Sequence, residues 1–281
     1  MRLAHRAPKT RRVLFRRTAA YGRRWKVKRT MNVLIERDFE ALSLRAARLF
    51  VDISRDCILG SGRFVAALSG GNTPQATYAL LATAEYQKRM DWNRIHLFFV
   101  DERFVPPDHP NSNFGLIYNN LLRTVPIPAD HIHPIHTAGL SPPSAAKDYE
   151  DRIRRFFGIQ DEDAFPVFDL IVLGIGRDGH TASLFPGADS LSETRHLVIP
   201  VVRTNTEHDR ISLTLPVLNH AANILFLVSG REKAEIVENV VKKKVPALPA
   251  SMINPKHGKC LLLIDEEAGE NISDLEVKRN A

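Results

Sequence analysis

Two titratable side chains, Asp178 and His180, lie in a glycine-rich segment and could transfer a proton. The segment follows Asp169–Leu173, an apolar run that predicts a buried parallel strand. In an open α/β sheet, ligands bind outside the carboxyl ends of the strands. An imidazole with an ordinary pKa of ~6.5 suits proton transfer near neutral pH. Asp178 and His180 are therefore candidate catalytic residues; the alternative is that Asp178 only caps a turn and His180 is a surface group.

A second predicted strand, residues 95–100, ends in Asp101-Glu102-Arg103. Two carboxylates and a guanidinium at a strand end are costly to bury unless they pair with each other or bind a charged ligand. This strand end therefore predicts either a set of ion pairs or part of a ligand site.

A third predicted strand, residues 64–68, runs into a loop of small residues. The loop and the residues after it read Ser69-Gly70-Gly71-Asn72-Thr73-Pro74. Thr73 is the predicted N-cap of the next helix, and Pro74 fits the first helical position. The N–H groups and the dipole of a helix N-terminus favour an anion, although such a loop can be only a turn, and no Walker A Gly-Lys-Ser/Thr follows. Three polar strand ends in one sheet make a stronger prediction of a site than any one alone.

The formal net charge of +7 comes from the beginning of the chain. Residues 1–30 contain twelve of the 39 Lys and Arg residues and no acid, so the remainder has 27 basic and 32 acidic residues, a net charge of −5. We predict that residues 1–30 form a basic, disordered extension and that the acidic remainder does not bind nucleic acid. Three interpretations of the extension stay open: an arm that touches RNA or a membrane, a transit peptide, or a segment outside a working protein that starts at Met31, which we favour.

The remaining composition is that of an ordinary globular protein. Cys57 and Cys260 lie in apolar stretches and predict core thiols rather than a disulfide or a zinc site. No apolar run approaches the ~18 residues of a membrane span, and no secretory signal is visible. We therefore expect a cytoplasmic protein that does not contact membranes.

Three imidazoles, those of His131, His133 and His136, occur close together. Zinc accepts His ligands, so a metal site is one interpretation. The spacing is not helical, and Pro134 stiffens the segment, so we predict no functional metal site and leave adventitious binding open.

Predicted strands and helices alternate along the chain. The predicted strands begin near Met31 and then cover residues 64–68, 95–100, 169–173, 196–202, 210–215, 223–228 and 260–264. The predicted helices follow Asp38 and then cover residues 74–88, 113–123, 144–157 and 230–242. This order predicts a single α/β domain over residues 31–270, built on a doubly wound, mostly parallel sheet with helices on both faces, and followed by a C-terminal tail of residues 271–281.

Several motifs occur together between about Val33 and Asp265. They are Ser69–Pro74, Asp101–Arg103 with Ser112-Asn113, Gly174–Pro186, Arg210–Thr214, Pro216–Asn219 and Gly230–Ala234. In combination they resemble the family of 6-phosphogluconolactonases and glucosamine-6-phosphate isomerases, and its lactonase members most of all. The resemblance implies hydrolysis of 6-phospho-D-glucono-1,5-lactone to 6-phospho-D-gluconate in the oxidative pentose phosphate pathway, without a metal or an organic cofactor.

The resemblance also implies a role for each candidate residue. His180 would be the general base that activates water, and Asp178 would orient its ring or stabilise the imidazolium. Arg103 and Lys233 would contact the substrate phosphate. The glycine loop would receive anionic oxygen through Gly70, Gly71, Asn72 and Thr73.

Two other functions remain open on the same fold. One is a sugar-phosphate isomerase or deaminase, and the other is a sugar-phosphate sensor that uses the basic extension. The deaminases resemble this chain less, since they usually carry Tyr at the position of Arg103. They also carry a Glu after the His, where this chain has Ala182-Ser183-Leu184-Phe185-Pro186. The oligomeric state is not predicted.

Overall fold

The computed structural model describes residues 31–202 and 207–272 and the backbone of residues 278–279. The predicted basic extension, residues 1–30, lies outside the described residues. Within the described part of the chain, no helix is long and apolar enough to cross a membrane.

The described strands form two sheets. In chain order they are β1 (Asn32–Glu36), β2 (Phe64–Leu68), β3 (Ile95–Phe99), β4 (Asp101–Arg103), β5 (Ile132–His133), β6 (Leu170–Leu173), β7 (Val198–Val201), β8 (Arg210–Leu213), β9 (Asn223–Val228), β10 (Lys259–Asp265) and β11 (Lys278–Arg279). Eight of them form a parallel sheet in the order β11-β1-β10-β9-β6-β2-β3-β5, and the other three form an antiparallel sheet in the order β4-β8-β7.

The helices connect these strands. They are α1 (Phe39–Ser61), α2 (Asn72–Leu81), α3 (Ala84–Gln87), α4 (Asn113–Ile117), α5 (Pro142–Phe157), α6 (Leu215–Leu218), α7 (Ala234–Val241) and α8 (Pro249–Met252). Helix α1 begins as predicted after Asp38, whose side chain accepts a hydrogen bond from the Ala41 N–H at 2.8 Å. It ends at Gly62, whose φ of 84° is the left-handed conformation that glycine adopts readily.

The large sheet confirms the predicted doubly wound architecture. Every residue of β2 and of β6 is buried, and because side chains alternate between the two faces, both faces of the sheet are covered. From β2 the chain moves outward through β3 to β5, and it then returns to place β6 on the other side of β2. The strand order therefore reverses between β2 and β6, which opens a crevice at their carboxyl ends.

The small antiparallel sheet differs from the prediction. The sequence places residues 196–202 and 210–215 in the large sheet, but β7 and β8 pair with β4 instead. Strand β4 follows β3 after only Val100, whose carbonyl accepts a hydrogen bond from the Leu213 N–H at 2.9 Å. The small sheet therefore extends directly from the carboxyl end of β3.

Some predicted boundaries also shift. The predicted helix over residues 74–88 is two helices, α2 and α3, and the one over residues 113–123 is α4 followed by a π-helical turn, Tyr118–Leu122. In the predicted tail, the backbone of β11 pairs in parallel with β1, so Lys278 lies opposite Leu34.

Candidate active site

A cavity of about 420 Å³ opens at the carboxyl edge of the large sheet. It is lined by the loops that follow β2, β3, β6 and β9, so the three polar strand ends predicted to form a site lie together. Every candidate site residue except Asp178 lines it: Gly70, Gly71, Asn72, Thr73, Arg103, His180 and Lys233. Asp178 does not line the cavity itself but contacts His180, which does.

Asp178 and His180 form a hydrogen-bonded pair. The Nδ1 of His180 lies 2.5 Å from Oδ1 of Asp178, which also accepts the backbone N–H of His180 at 3.1 Å. Burial alone would raise the pKa of Asp178, but the hydrogen bond from the His180 N–H and the attraction of the imidazole lower it below the ordinary value. Since the carboxylate only accepts, Nδ1 carries the hydrogen, and Nε2 keeps a lone pair for a proton from water.

Gly176 leaves the space that the His180 ring occupies. A Cβ at this position would lie 2.1 Å from Nδ1 of His180 and 2.8 Å from Oδ1 of Asp178. The turn closes through the Gly176 N–H, which donates to the His180 carbonyl at 2.8 Å. The glycine therefore allows the Asp–His pair to fold back against the backbone.

The glycine loop, residues 69–73, also lines the cavity. Helix α2 begins at Asn72, two residues earlier than Pro74, so the predicted N-cap Thr73 is wrong. The N-cap is Gly71 with φ of 106°, a conformation that residues with side chains rarely adopt, and no side chain caps the helix. Because no side chain among the described residues caps this helix end through a hydrogen bond, its N–H groups can receive an anionic ligand.

Glu102, the second residue of β4, is held by hydrogen bonds within the protein. Glu102 accepts hydrogen bonds from the N–H groups of Arg103, Asn113 and Phe114 at 2.8, 2.6 and 2.8 Å, and from the Ser112 hydroxyl at 3.1 Å. Burial raises the pKa of Glu102, and these hydrogen bonds partly offset that shift. Glu102 therefore holds the start of α4 and is not part of the cavity.

Arg103 lines the cavity and is not ion-paired with its neighbours in the sequence. Its Nη1 donates to the Asn111 carbonyl at 2.8 Å, while its Nε is buried with no hydrogen-bond partner among the described residues. A guanidinium that lines a cavity is suited to bind an oxyanion.

Lys233 approaches the cavity from the turn before α7. Its Nζ donates to the Ile175 carbonyl at 2.8 Å, on the loop that carries Asp178 and His180. Burial lowers the pKa of Lys233, and Arg177 lowers it further, whereas Glu232 and Asp178 act in the opposite direction. Lys233 therefore adds a cation close to the Asp–His pair.

The remaining candidate groups lie outside this cavity. His96 and His133 are within 3.4 Å of each other, whereas His136 lies beside Asp148. Within the described residues, no group of three or more His, Cys, Asp or Glu side chains is placed to hold a metal ion. Both cysteines are free thiols, and burial raises the pKa of each to about 12.

Residues 37–262 match a family model described as glucosamine-6-phosphate isomerases/6-phosphogluconolactonase. This chain belongs to that family. A 6-phosphogluconolactonase of Synechocystis is 36% identical over 242 residues, which cover 85% of this chain and 94% of the relative. A 6-phosphogluconolactonase of Rattus norvegicus is 37% identical over 237 residues, which cover 83% and 91%.

Solved structures of this family share the fold. The 6-phosphogluconolactonase of Trypanosoma cruzi has a TM-score of 0.77 and 28% identity, covering 88% of this chain and 98% of that one. A monomeric glucosamine-6-phosphate deaminase has a TM-score of 0.71 but only 23% identity, covering 86% and 100%, and so shows the fold alone.

Some residues that line the cavity were not among the candidate site residues. Arg210 lines the cavity and lies opposite Arg103 in the pairing of β4 with β8. Asn113 lines it as well, and its amide contacts Asp101. Both occur in motifs that carry the family resemblance, but their proximity to the cavity depends on the small sheet, which the sequence did not predict.

Proposed function

We propose that this protein hydrolyses 6-phospho-D-glucono-1,5-lactone to 6-phospho-D-gluconate in the oxidative pentose phosphate pathway, with His180 as general base. The observation that carries the mechanism is the Asp178–His180 hydrogen bond at 2.5 Å beside a cavity lined by cationic side chains and a helix N-terminus. The lactonase relatives, which match this chain over most of their length, support the same activity.

The reaction needs a water, a base and a group that receives negative charge. Nε2 of His180 takes a proton from water as the oxygen adds to C1 of the lactone, and Asp178 stabilises the imidazolium that forms. The carbonyl oxygen becomes an oxyanion that N–H groups of the glycine loop can receive. The bond from C1 to the ring oxygen then breaks, and the imidazolium returns its proton to that oxygen, which gives the open-chain acid.

The phosphate is anchored separately from the reacting carbon. We assign it to Arg103 and Lys233, which leaves the N–H groups of the glycine loop for the oxyanion. A guanidinium binds phosphate through two hydrogen bonds, whereas an ammonium supplies a point charge. This assignment predicts that the enzyme prefers phosphorylated lactones.

A serine nucleophile is not part of the mechanism. Ser183 is fully buried, and its hydroxyl donates to Asp101 at 2.6 Å. Ser69 is also buried, and within the described residues neither serine hydrogen-bonds to His180. Direct attack by water is therefore the simpler route.

We also propose that the protein works in the cytoplasm, where its two thiols remain reduced.

The activity is tested with freshly prepared 6-phosphogluconolactone, with proton release followed against the spontaneous rate. We expect turnover well above that rate and no ammonia release from glucosamine 6-phosphate, because the ring of Phe185 packs 4.7 Å from that of His180 in the stretch where the deaminases carry a Glu. Ammonia release would instead assign the deaminase reaction. Binding of both compounds without turnover would indicate a sensor.

A further inference from the structure

The carboxylate of Asp101 connects two of the loops that surround the cavity. Asp101 is only 5% exposed and lies at the start of β4. Its Oδ2 accepts a hydrogen bond from the Ser183 hydroxyl at 2.6 Å, and its Oδ1 accepts one from Nδ2 of Asn113 at 3.2 Å. Because both oxygens are engaged by protein donors, this geometry favours a role in holding loops over one in attacking the substrate.

Ser183 belongs to the catalytic loop and is held at two atoms. It lies three residues after His180 and is fully buried. Its hydroxyl donates to Asp101, and its N–H donates to the Ser212 hydroxyl at 3.2 Å. Asp101 and Ser212 lie opposite each other in the pairing of β4 with β8. Ser183 is therefore hydrogen-bonded to two adjacent strands of the small sheet.

The backbone between His180 and Ser183 is strained. Ala182 has φ of 53°, a left-handed conformation that is unfavourable for a residue other than glycine. The turn around it is closed by the Leu184 N–H, which donates to the Thr181 carbonyl at 3.0 Å. Such a conformation persists only where surrounding contacts impose it, and the contacts of Ser183 follow it directly.

Oδ1 of Asp101 is linked to the glycine loop through the side chain of Asn113. Nδ2 of Asn113 also donates to the Asp101 carbonyl at 2.9 Å, which fixes the amide. Oδ1 of Asn113 then fills the space beside Gly70, where a Cβ would lie only 1.9 Å from it. The same carboxylate is thereby linked to the glycine loop as well as to the loop that carries His180.

We propose that Asp101 is a positioning residue that acts through Ser183 to hold the strained turn and the imidazole of His180 in the cavity. The proposal deepens the proposed lactonase function and rests on it. Releasing Ser183 lets the turn relax and moves the base, and a displacement of ~1 Å in an active site lowers the rate ~100-fold. Ser183 does not line the cavity, although Asp101 does, so we expect loss of the Ser183 hydroxyl to leave the affinity for substrate nearly unchanged.

The test compares Ser183→Ala with Ser54→Ala in the full chain. Ser54 is a matched control, because it is also buried and its hydroxyl makes one hydrogen bond, to the Val51 carbonyl at 2.8 Å in α1. We expect Ser183→Ala to lower kcat about 10- to 100-fold with KM changed less than about twofold. Ser54→Ala should keep the wild-type kcat even if its melting temperature falls as much as that of Ser183→Ala.

Asp101→Asn distinguishes action through Ser183 from direct action. We expect it to lower kcat about as much as Ser183→Ala, and the double variant to lose no more than the larger single loss, since the two side chains act as one unit. The proposal is overturned if Ser183→Ala keeps wild-type kcat while Asp101→Asn loses it, if KM rises in place of the fall in kcat, or if Ser54→Ala loses kcat equally. A wild-type chain without lactonase activity would instead refute the proposed function.

Discussion

At the scale of single residues, the catalytic geometry depends on missing side-chain atoms as much as on present ones. His180 reaches Asp178 because Gly176 has no Cβ. The side chain of Asn113 packs against Gly70 because Gly70 has no Cβ either. The Asp-Gly-His sequence alone is equally typical of a structural turn. The hydrogen bond between Asp178 and His180 beside the cavity favours the catalytic interpretation, and it can be seen only in the folded chain.

Gly176→Ala should inactivate the enzyme with little effect on folding. The new methyl group would overlap Nδ1 of His180, so the ring must leave Asp178, and we expect kcat to fall about 100-fold. Gly60→Ala is the control, because Gly60 lies in α1 with nothing within 4 Å of an added Cβ. Steady-state kinetics and thermal melts of both variants check this. Equal kcat in the two would show that the imidazole does not need its observed position.

Arg103→Ala should weaken recognition of the phosphate. A charge-assisted contact contributes ~1.5–3 kcal/mol, so kcat/KM for the phosphorylated lactone should fall about 10- to 100-fold, and that for gluconolactone much less. Arg152→Ala is the control, since its guanidinium also holds a backbone carbonyl, that of Pro134 at 2.6 Å, away from the cavity. If Arg103→Ala reduces kcat/KM equally for both substrates, Arg103 acts by fixing the Asn111 loop.

At the scale of elements, much of the architecture could be predicted because buried parallel strands are continuous apolar runs. The runs 64–68, 95–100 and 169–173 locate β2, β3 and β6 to within a residue. The partners of β4 could not be predicted, since three polar residues such as Asp101–Arg103 carry no apolar pattern and pair with β8, more than a hundred residues away. Arg210 was missed for the same reason.

The predicted cap of α2 was wrong for a local reason. Thr73 and Pro74 are typical of a helix start, but Gly71 can adopt φ of 106°, so the chain turns into the helix at Asn72. The observed start of α2 at Asn72 favours anion binding, because the helix then begins at the cavity without a side-chain cap.

Strands β3 and β5 carry two imidazoles that should make stability depend on pH. Burial lowers the pKa of His96 and of His133 to about 4 from an ordinary 6.5, and His131 and nearby arginines act in the same direction. The unfolded chain therefore binds protons that the folded chain excludes. Their contribution to stability is fully present above pH 6.5 and is lost as the pH falls from 6.5 towards 4.

His133→Phe should reduce this acid sensitivity. The ring of His133 stacks on Phe98 at 4.1 Å, so a phenyl ring can keep the packing without a proton to bind. We expect the urea midpoint of the wild type to fall between pH 7 and pH 5, and that of the variant to fall less. The same pH dependence in both proteins would show that His133 does not contribute.

At the scale of the whole molecule, the net charge of +7 separates into a +12 extension and a −5 remainder. Residues 1–30 have few large apolar groups with which to offset the entropy of ordering. The first described strand, β1, begins at Asn32 and pairs with β10 through five residues. We therefore propose that the folded domain starts near Met31.

A protein that begins at Met31 should match the full chain in melting temperature and in kcat/KM. The remainder attracts the extension weakly, because exposed charges are screened over ~8 Å at physiological salt. Thermal melts and lactone hydrolysis of both proteins provide the comparison. A melting temperature lower by more than about 5 °C in the shorter protein would show that residues 1–30 pack on the domain.

The most direct test of the account is the turnover of 6-phosphogluconolactone by His180→Ala beside the wild type. General-base catalysis contributes ~10²–10⁴-fold, so we predict a loss of kcat in that range while 6-phosphogluconate binds with nearly unchanged affinity. If the variant keeps more than about a tenth of the wild-type kcat, His180 lowers the barrier by less than ~1.4 kcal/mol. That result would contradict its role as the base that activates water.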